Sequence, residues 1–194
     1  MSSPEGWEPG ALNLAQGLAM KFRTQSIHGD VTRLLIDLSK DGDARWSRFS
    51  KKLPEAARAK LVERHENPYR LTLNDRIADA LQRHATVTHL MINTDSKSTG
   101  QIFLKTPANS PLAESFAKAW NQKLRAAGLN SQHLSVVAPS QLGASLMKAF
   151  PAAKYAQIRL SVSQSFFLEN RPLRWDLLKK QLGDALSSLI AEQG

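Results

Sequence analysis

The sequence contains no cysteine. That excludes disulfides, thiolate zinc sites and a cysteine nucleophile, and it fits a cytoplasmic protein. No apolar run approaches the ~20 residues needed to cross a bilayer, so no membrane association is expected. The opening MSSPEGWEPG lacks the basic and apolar regions of a signal peptide. The serine-hydrolase elbow, the dinucleotide fingerprint and the P-loop are all missing. The five histidines, His28, His65, His84, His89 and His133, form neither HxH nor HExxH, so there is no short zinc signature. Internal repeats, low-complexity segments and linkers are missing too. The 194 residues are therefore expected to form a single domain, 1–194.

Positive charge is in excess. Lys and Arg total 26 against 17 Asp and Glu, giving a net charge of +9 and a pI near 10.0. A surface of that sign favours anionic partners and substrates. The basic residues are scattered, with Lys51-Lys52 and Lys179-Lys180 the only doublets, and no arginine-rich arm is present. This dispersal argues against nucleic acid as the partner.

Periodicity predicts alternating helices and strands. Ala11, Leu14, Ala15, Leu18 and Phe22 recur at helical spacing over 9–22. Val31–Leu38 (VTRLLIDL), rich in β-formers between two Gly-containing turns, predicts a strand. Helices follow over 54–66, stopped by Asn67-Pro68, and over 72–84. His65 then falls at a helix end, where the dipole favours an imidazolium. Alternation predicts strands over 86–93, 100–105, 133–138 and 156–164, and His89 reads as a hydrogen-bonded strand histidine. The helix over 110–127 carries the clearest signals: Ser110 as cap, Pro111 in the first turn, Glu114 completing a capping box and Gly128 as the stop. Short and long helices are predicted over 140–150 and 173–191. Strands alternating with helices make this an α/β fold with a sheet covered by helices.

Several stretches, in order, resemble the N-formylglutamate amidohydrolase family. Gly6-Trp7-Glu8-Pro9-Gly10-Ala11 is similar to a Gly-(Trp/Tyr)-Asp-Pro-Gly-Ala segment of that family. Thr32 to Lys40 resembles its Ser-Arg-Leu-Leu-Val-Asp-Leu-Asn-Arg strand. Phe49-Ser50, Leu53-Pro54, Arg58 and Asn67-Pro68-Tyr69-Arg70 follow its spacing. His89 to Asp95 lies where the family has a strand ending in His-Ser-Phe, and Tyr155 to Gln164 resembles Tyr-Ala-Gly-Ile-Glu-Leu-Glu-Ile-Asn-Gln. The resemblance covers residues 6 to about 190. It implies a three-layer α/β/α sandwich with a mostly parallel or mixed central sheet, of the zinc-carboxypeptidase and phosphorylase/hydrolase type. It also implies a zinc ion that activates water against an N-acyl amino acid, with a carboxylate as general base.

The departures from the family bear on function. The family's opening strand carries a zinc ligand, and this sequence begins after the point where that strand would lie. The expectation is a sheet edge left open, across which two copies pair as a homodimer. The family aspartate is Glu8. The metal-binding histidine corresponds to Asn93, whose neutral amide is a poor zinc ligand. The general base corresponds to Arg159, which accepts no proton. The Asn-Arg pair is Ser39-Lys40. Arg33, Asp37, His89 and Asp95 complete the residual site. No cofactor is expected. If the family chemistry survives, zinc would sit on Glu8, Asp37 and His89. The favoured reading is a degenerate amidohydrolase-like domain that binds a small anion or acyl-amino acid through Lys40 and Arg159. The alternatives are an active metal-dependent hydrolase with a shifted site, and a basic module for nucleic acid or an acidic partner.

Overall fold

The computed structural model describes residues 6–138, 140–169 and 172–193. The chain forms two compact units. The first takes in Ile27–Val87, Ser140–Tyr155 and the described residues up to Trp7; the second takes in the described residues of Glu8–Ser26, Thr88–Pro139 and Ala156–Gly194.

A four-strand mixed sheet organises the second unit. Its strands are β1 (Val87–Asp95), β2 (Ile102–Pro107), β3 (Ser131–Val136) and β4 (Tyr155–Ser163), in the order β1-β4-β2-β3. β2 runs parallel to β3 and antiparallel to β4. Val87 bonds to Lys154 at one end of β1, and Asp95 accepts from Gln164 at the other, so β1 and β4 run in the same direction. Three helices supply the apolar layer: α1 (Ala11–Lys21), α4 (Pro111–Ala126) and α7 (Pro172–Gln193). Alternation along β2 and β4 sends Ile102, Leu104, Ile158, Leu160 and Val162 to that layer, all with no exposed surface. They meet Leu14 and Leu18 of α1, Trp120 and Leu124 of α4, and Leu178 and Leu182 of α7.

The α4 boundaries follow their signals. Ser110 Oγ accepts from Ala113 N, and Gly128, at φ +80°, starts a left-handed stop in which Leu129 N returns to Leu124 O. The capping box does not form, because Glu114 lies one residue beyond the position that could bond back to Ser110. Its carboxylate instead accepts from Ser135 Oγ at 3.1 Å and pairs with Lys118. A short helix missed by periodicity, Ser165–Leu168, follows β4.

The first unit holds α2 (Glu55–Leu61), α3 (Asn67–Arg83) and α5 (Gln141–Ala149); the Ser165–Leu168 helix of the second unit is α6. Leu73 and Ile77 of α3, Leu142 and Leu146 of α5, and Tyr155 form its core. Two expectations are overturned here. Val31–Leu38 is no strand. Thr32 Oγ1 donates to Gly6 O, Thr32 O accepts from Leu35 N and Ile36 N, and Leu34 O accepts from Ser47 Oγ, so turns and side chains use the groups a strand would pair. Pro68 also does not end the preceding helix. A π-helical turn at Val62–Glu66 joins α2 to α3, with Asn67 N reaching Val62 O. The wider i to i+5 register accommodates a proline that has no N–H to give. His65 is therefore inside a continuous helix, bonded through Nδ1 to Asp30 at 2.8 Å.

Gly10 of the Glu8-Pro9-Gly10 segment has φ +82°, and a Cβ there would lie 2.9 Å from the Phe167 ring and 3.1 Å from Trp175. Gly128 has the same backbone form, φ +80°, but open space around it. Gly128→Ala is expected to cost about 1 kcal/mol from left-handed strain alone. Gly10→Ala should cost at least twice that, roughly 2–4 kcal/mol, because the Phe167–Trp175 pair must also give way. Urea unfolding of the two variants checks this, and equal losses would show that the close packing at Gly10 carries no energy.

Candidate functional site

Strand alternation puts one row of β1 and one row of β4 on the sheet face opposite the apolar layer. Asn93 belongs to the first row, and Arg159, Ser161 and Ser163 to the second. Of the nine residues of β4, only Arg159 is not buried. Its Nε donates to Asn93 Oδ1 at 2.7 Å, and Asn93 Nδ2 donates to Ser161 Oγ at 3.1 Å. The two positions that the family resemblance makes a metal ligand and a general base therefore touch, as an amide and a guanidinium. Antiparallel register sets Lys105 of β2 opposite Arg159 and Phe103 opposite Ser161. The Lys105 Nζ lies 5.6 Å from the Phe103 ring centroid. Sequence reasoning overlooked Lys105, because only the register brings it beside Arg159.

Facing cations on neighbouring strands repel each other and favour an anion between or above them. Hydroxyls continue the same row towards the end of β4. Ser163 Oγ donates to Ser98 O at 2.6 Å and lies 2.8 Å from Ser165 Oγ, which accepts from Gly100 N. These bonds fasten the loop after β1 to the end of β4. Asp95 is used locally, its carboxylate accepting from Lys97 N at 3.0 Å. The stretch Asn93-Thr94-Asp95-Ser96 is thus a strand end fixed by hydrogen bonds.

His89 lies on the same row of β1 as Asn93 and is half-buried. Burial pushes its imidazole down from 6.5 to about 4, so it is neutral at pH 7. Glu8 sits half-buried ahead of α1, with its carbonyl accepting from Ala11 N. The remaining candidates lie in the first unit. Arg33 is half-buried in the turn that replaces the expected strand. Asp37 accepts from Ser39 N at 3.0 Å and from Ser39 Oγ at 2.6 Å. Lys40 is exposed, and its carbonyl accepts from Arg70 Nη2 at 2.9 Å. Beside it Glu66, only 3% exposed, is held by Arg45 and Arg70, and Arg70 also pairs with Asp41. Arg70, matched to the family by spacing, is thus part of an ion network that the spacing did not reveal.

The donor set does not fit a three-ligand zinc centre. Among the described residues no group of three or more His, Asp and Glu could hold a metal ion. The Asn93 amide oxygen is directed to a guanidinium, which repels a cation at the position where the family resemblance expects an imidazole.

The fold has close counterparts among solved structures. The gene product Atu2144 from Agrobacterium tumefaciens superimposes with a TM-score of 0.69 at 18% identity, over 97% of this chain and 81% of the other. An N-formylglutamate amidohydrolase from Ralstonia eutropha JMP134 superimposes with a TM-score of 0.66 at 15% identity, over 95% of this chain and 82% of the other. No family model matches the sequence, and no curated protein matches it significantly. The likeness establishes an N-formylglutamate amidohydrolase-like α/β fold, with a four-strand mixed sheet flanked by helices.

The depressed His89 has a consequence for stability. Its folded pKa lies below the unfolded value, so between about pH 6.5 and 4 the unfolded chain binds a proton that the folded chain refuses. The His89 contribution is complete above the unfolded value and is lost as pH falls through that window. From pH 7 to 4.5 the loss should be roughly 2 kcal/mol. Comparing urea unfolding of the wild type and His89→Leu at both pH values isolates it. A variant that loses as much stability as the wild type on acidification would remove His89 as the cause.

Proposed function

We propose that this chain is an N-formylglutamate amidohydrolase-like domain in which binding replaces hydrolysis, the ligand being a small carboxylate- or phosphate-bearing molecule. The supporting observation is the 2.7 Å bond from Arg159 Nε to Asn93 Oδ1. A general base must accept a proton from water, and a metal ligand must offer a lone pair to a cation. At these two positions the lone pair faces a guanidinium, and the group in place of the base carries a permanent positive charge. With Lys105 opposite Arg159, the sign of the face suits an anion. An N-acyl amino acid remains a candidate ligand, bound by its carboxylate. Lys40, exposed in the first unit, is not required.

An active hydrolase with a shifted site would need Glu8, Asp37 and His89 to converge on a cation, and the described residues contain no such group. Isothermal titration calorimetry with N-formylglutamate, succinate and inorganic phosphate tests the proposal, with hydrolysis of N-formylglutamate followed in parallel after zinc is supplied. The expected result is binding of at least one anion without turnover. Lys105→Ala and Arg159→Gln should each weaken binding by about tenfold or more, the usual scale for one charge-assisted hydrogen bond. The Lys105 side chain makes no hydrogen bond among the described residues, so its variant should keep the fold even if the Arg159 variant does not. Zinc-dependent turnover, or no heat with any of the three anions, would overturn the proposal.

A further inference from the structure

The first unit carries a second cationic surface, away from the sheet positions discussed above in sequence and built differently. Lys and Arg are dispersed over the chain as a whole, which argues against nucleic acid, but they are dense in one stretch: residues 45–60 read RWSRFSKKLPEAARAK, six Lys or Arg against one acid. Arg45 and Arg58 both lie over the Trp46 ring, at 6.0 and 5.7 Å from its centroid. Arg45 is committed to Glu66, but Arg58 has no ion pair among the described residues, and its buried Nε has no hydrogen-bond partner there. Lys51 and Lys52 are exposed in a 3-10 turn, Ser50–Lys52, and also make no ion pair among the described residues. Phe49 is 54% exposed, with the Arg48 guanidinium 4.8 Å from its ring centroid.

The turn that presents these groups is rigid. Ser50, 1% exposed, accepts through Oγ from Ser47 N, while Ser47 Oγ accepts from Ser50 N and Phe49 N and donates to Leu34 O. The paired hydroxyls of half-buried Ser47 and buried Ser50 therefore fix an outward-facing ring between cations, and little ordering is left to be done on binding.

We propose that this surface binds single-stranded nucleic acid, with a base stacked on Phe49 and phosphates on Lys51, Lys52 and Arg58. An aromatic face beside Lys and Arg is the combination that unpaired bases and a phosphate backbone recognise. A duplex keeps its base faces covered and would leave Phe49 without a base to stack on. An anionic bilayer would need more apolar area than one protruding ring, because Trp46 is flanked by guanidinium groups. An acidic peptide would use the charges and leave Phe49 idle.

Fluorescence anisotropy of the full chain with a labelled fifteen-nucleotide oligo(dT) and a duplex of the same length, from low to physiological salt, tests this. The single strand should bind more tightly than the duplex. Lys51→Ala with Lys52→Ala should lower the slope of log affinity against log salt by about 1.4, or ~0.7 for each phosphate contact on a single strand. Phe49→Ala should weaken binding at least about fivefold and leave the slope unchanged. Lys118→Ala with Lys180→Ala removes the same charge from exposed positions of the second unit and should stay within twofold of the wild type. Absence of binding at low salt, tighter duplex binding or an equal loss in that control pair would each overturn the proposal. So would binding to phosphatidylglycerol vesicles in place of the oligonucleotide. All four lysines and Phe49 except for local contacts are solvent-facing, and thermal melting confirms that each variant is folded.

Discussion

Strand β4 is the constraint on which the second unit rests. It lies between β1 and β2, and eight of its nine residues are buried. Ile158, Leu160 and Val162 have no exposed surface and carry the packing of α1, α4 and α7. A central strand leaves no freedom of register, because a slip of one residue would exchange its apolar row for Arg159, Ser161 and Ser163. The same alternation that builds the core thus delivers a guanidinium and two hydroxyls, at fixed spacing, to the opposite face. Core and site are two sides of one strand.

The first unit is organised by charge as much as by apolar contact. Its helical core is small: Leu73, Ile77, Leu142, Leu146 and Tyr155. The irregular stretch before α2 is tied down by Glu66, whose buried carboxylate is shared by Arg45 and Arg70. A buried carboxylate is tolerated when both oxygens are bonded to cations, and removal of one partner would leave an uncompensated charge. Asp41 extends the arrangement, pairing with Arg70 and accepting from Ser145. The π-helical turn Val62–Glu66 ends at this carboxylate.

Much of the fold was legible because it rests on local signals or strict periods. α4 was bounded by Ser110, Pro111 and Gly128, and β4 by the alternation of Ile158, Leu160 and Val162. The errors arose where side chains compete for backbone groups. Val31–Leu38 has the composition of a strand, but no pattern of residue types announces that Thr32 and Ser47 will take its hydrogen bonds. Asn67-Pro68 reads as a helix stop, since a proline is normally incompatible with the i to i+4 ladder; the π register that accommodates it leaves no mark in the sequence. The resemblance singled out Asn93 and Arg159 separately, 66 residues apart. Their contact, and the place of Lys105 beside them, follow from the strand order β1-β4-β2, which periodicity does not supply.

The sign of the charge at these positions decides what the sheet face can do. A catalytic face of the resembled kind concentrates carboxylate and imidazole around a cation. At the position where the family resemblance expects that carboxylate stands Arg159, and its permanent charge is opposed across the strand pair by Lys105. A change of that kind does more than silence a base, because the repulsion between the two cations has to be offset. Asn93 does part of this through its amide oxygen, and in the proposed reading an anionic ligand does the rest. Net positive charge over the whole chain, +9, then raises the local concentration of any such anion before contact. That long-range attraction has no chemical selectivity. Selection has to come from the short-range geometry of Asn93, Arg159, Ser161 and Lys105, which a strand buried at every position but Arg159 holds in register with its two neighbours.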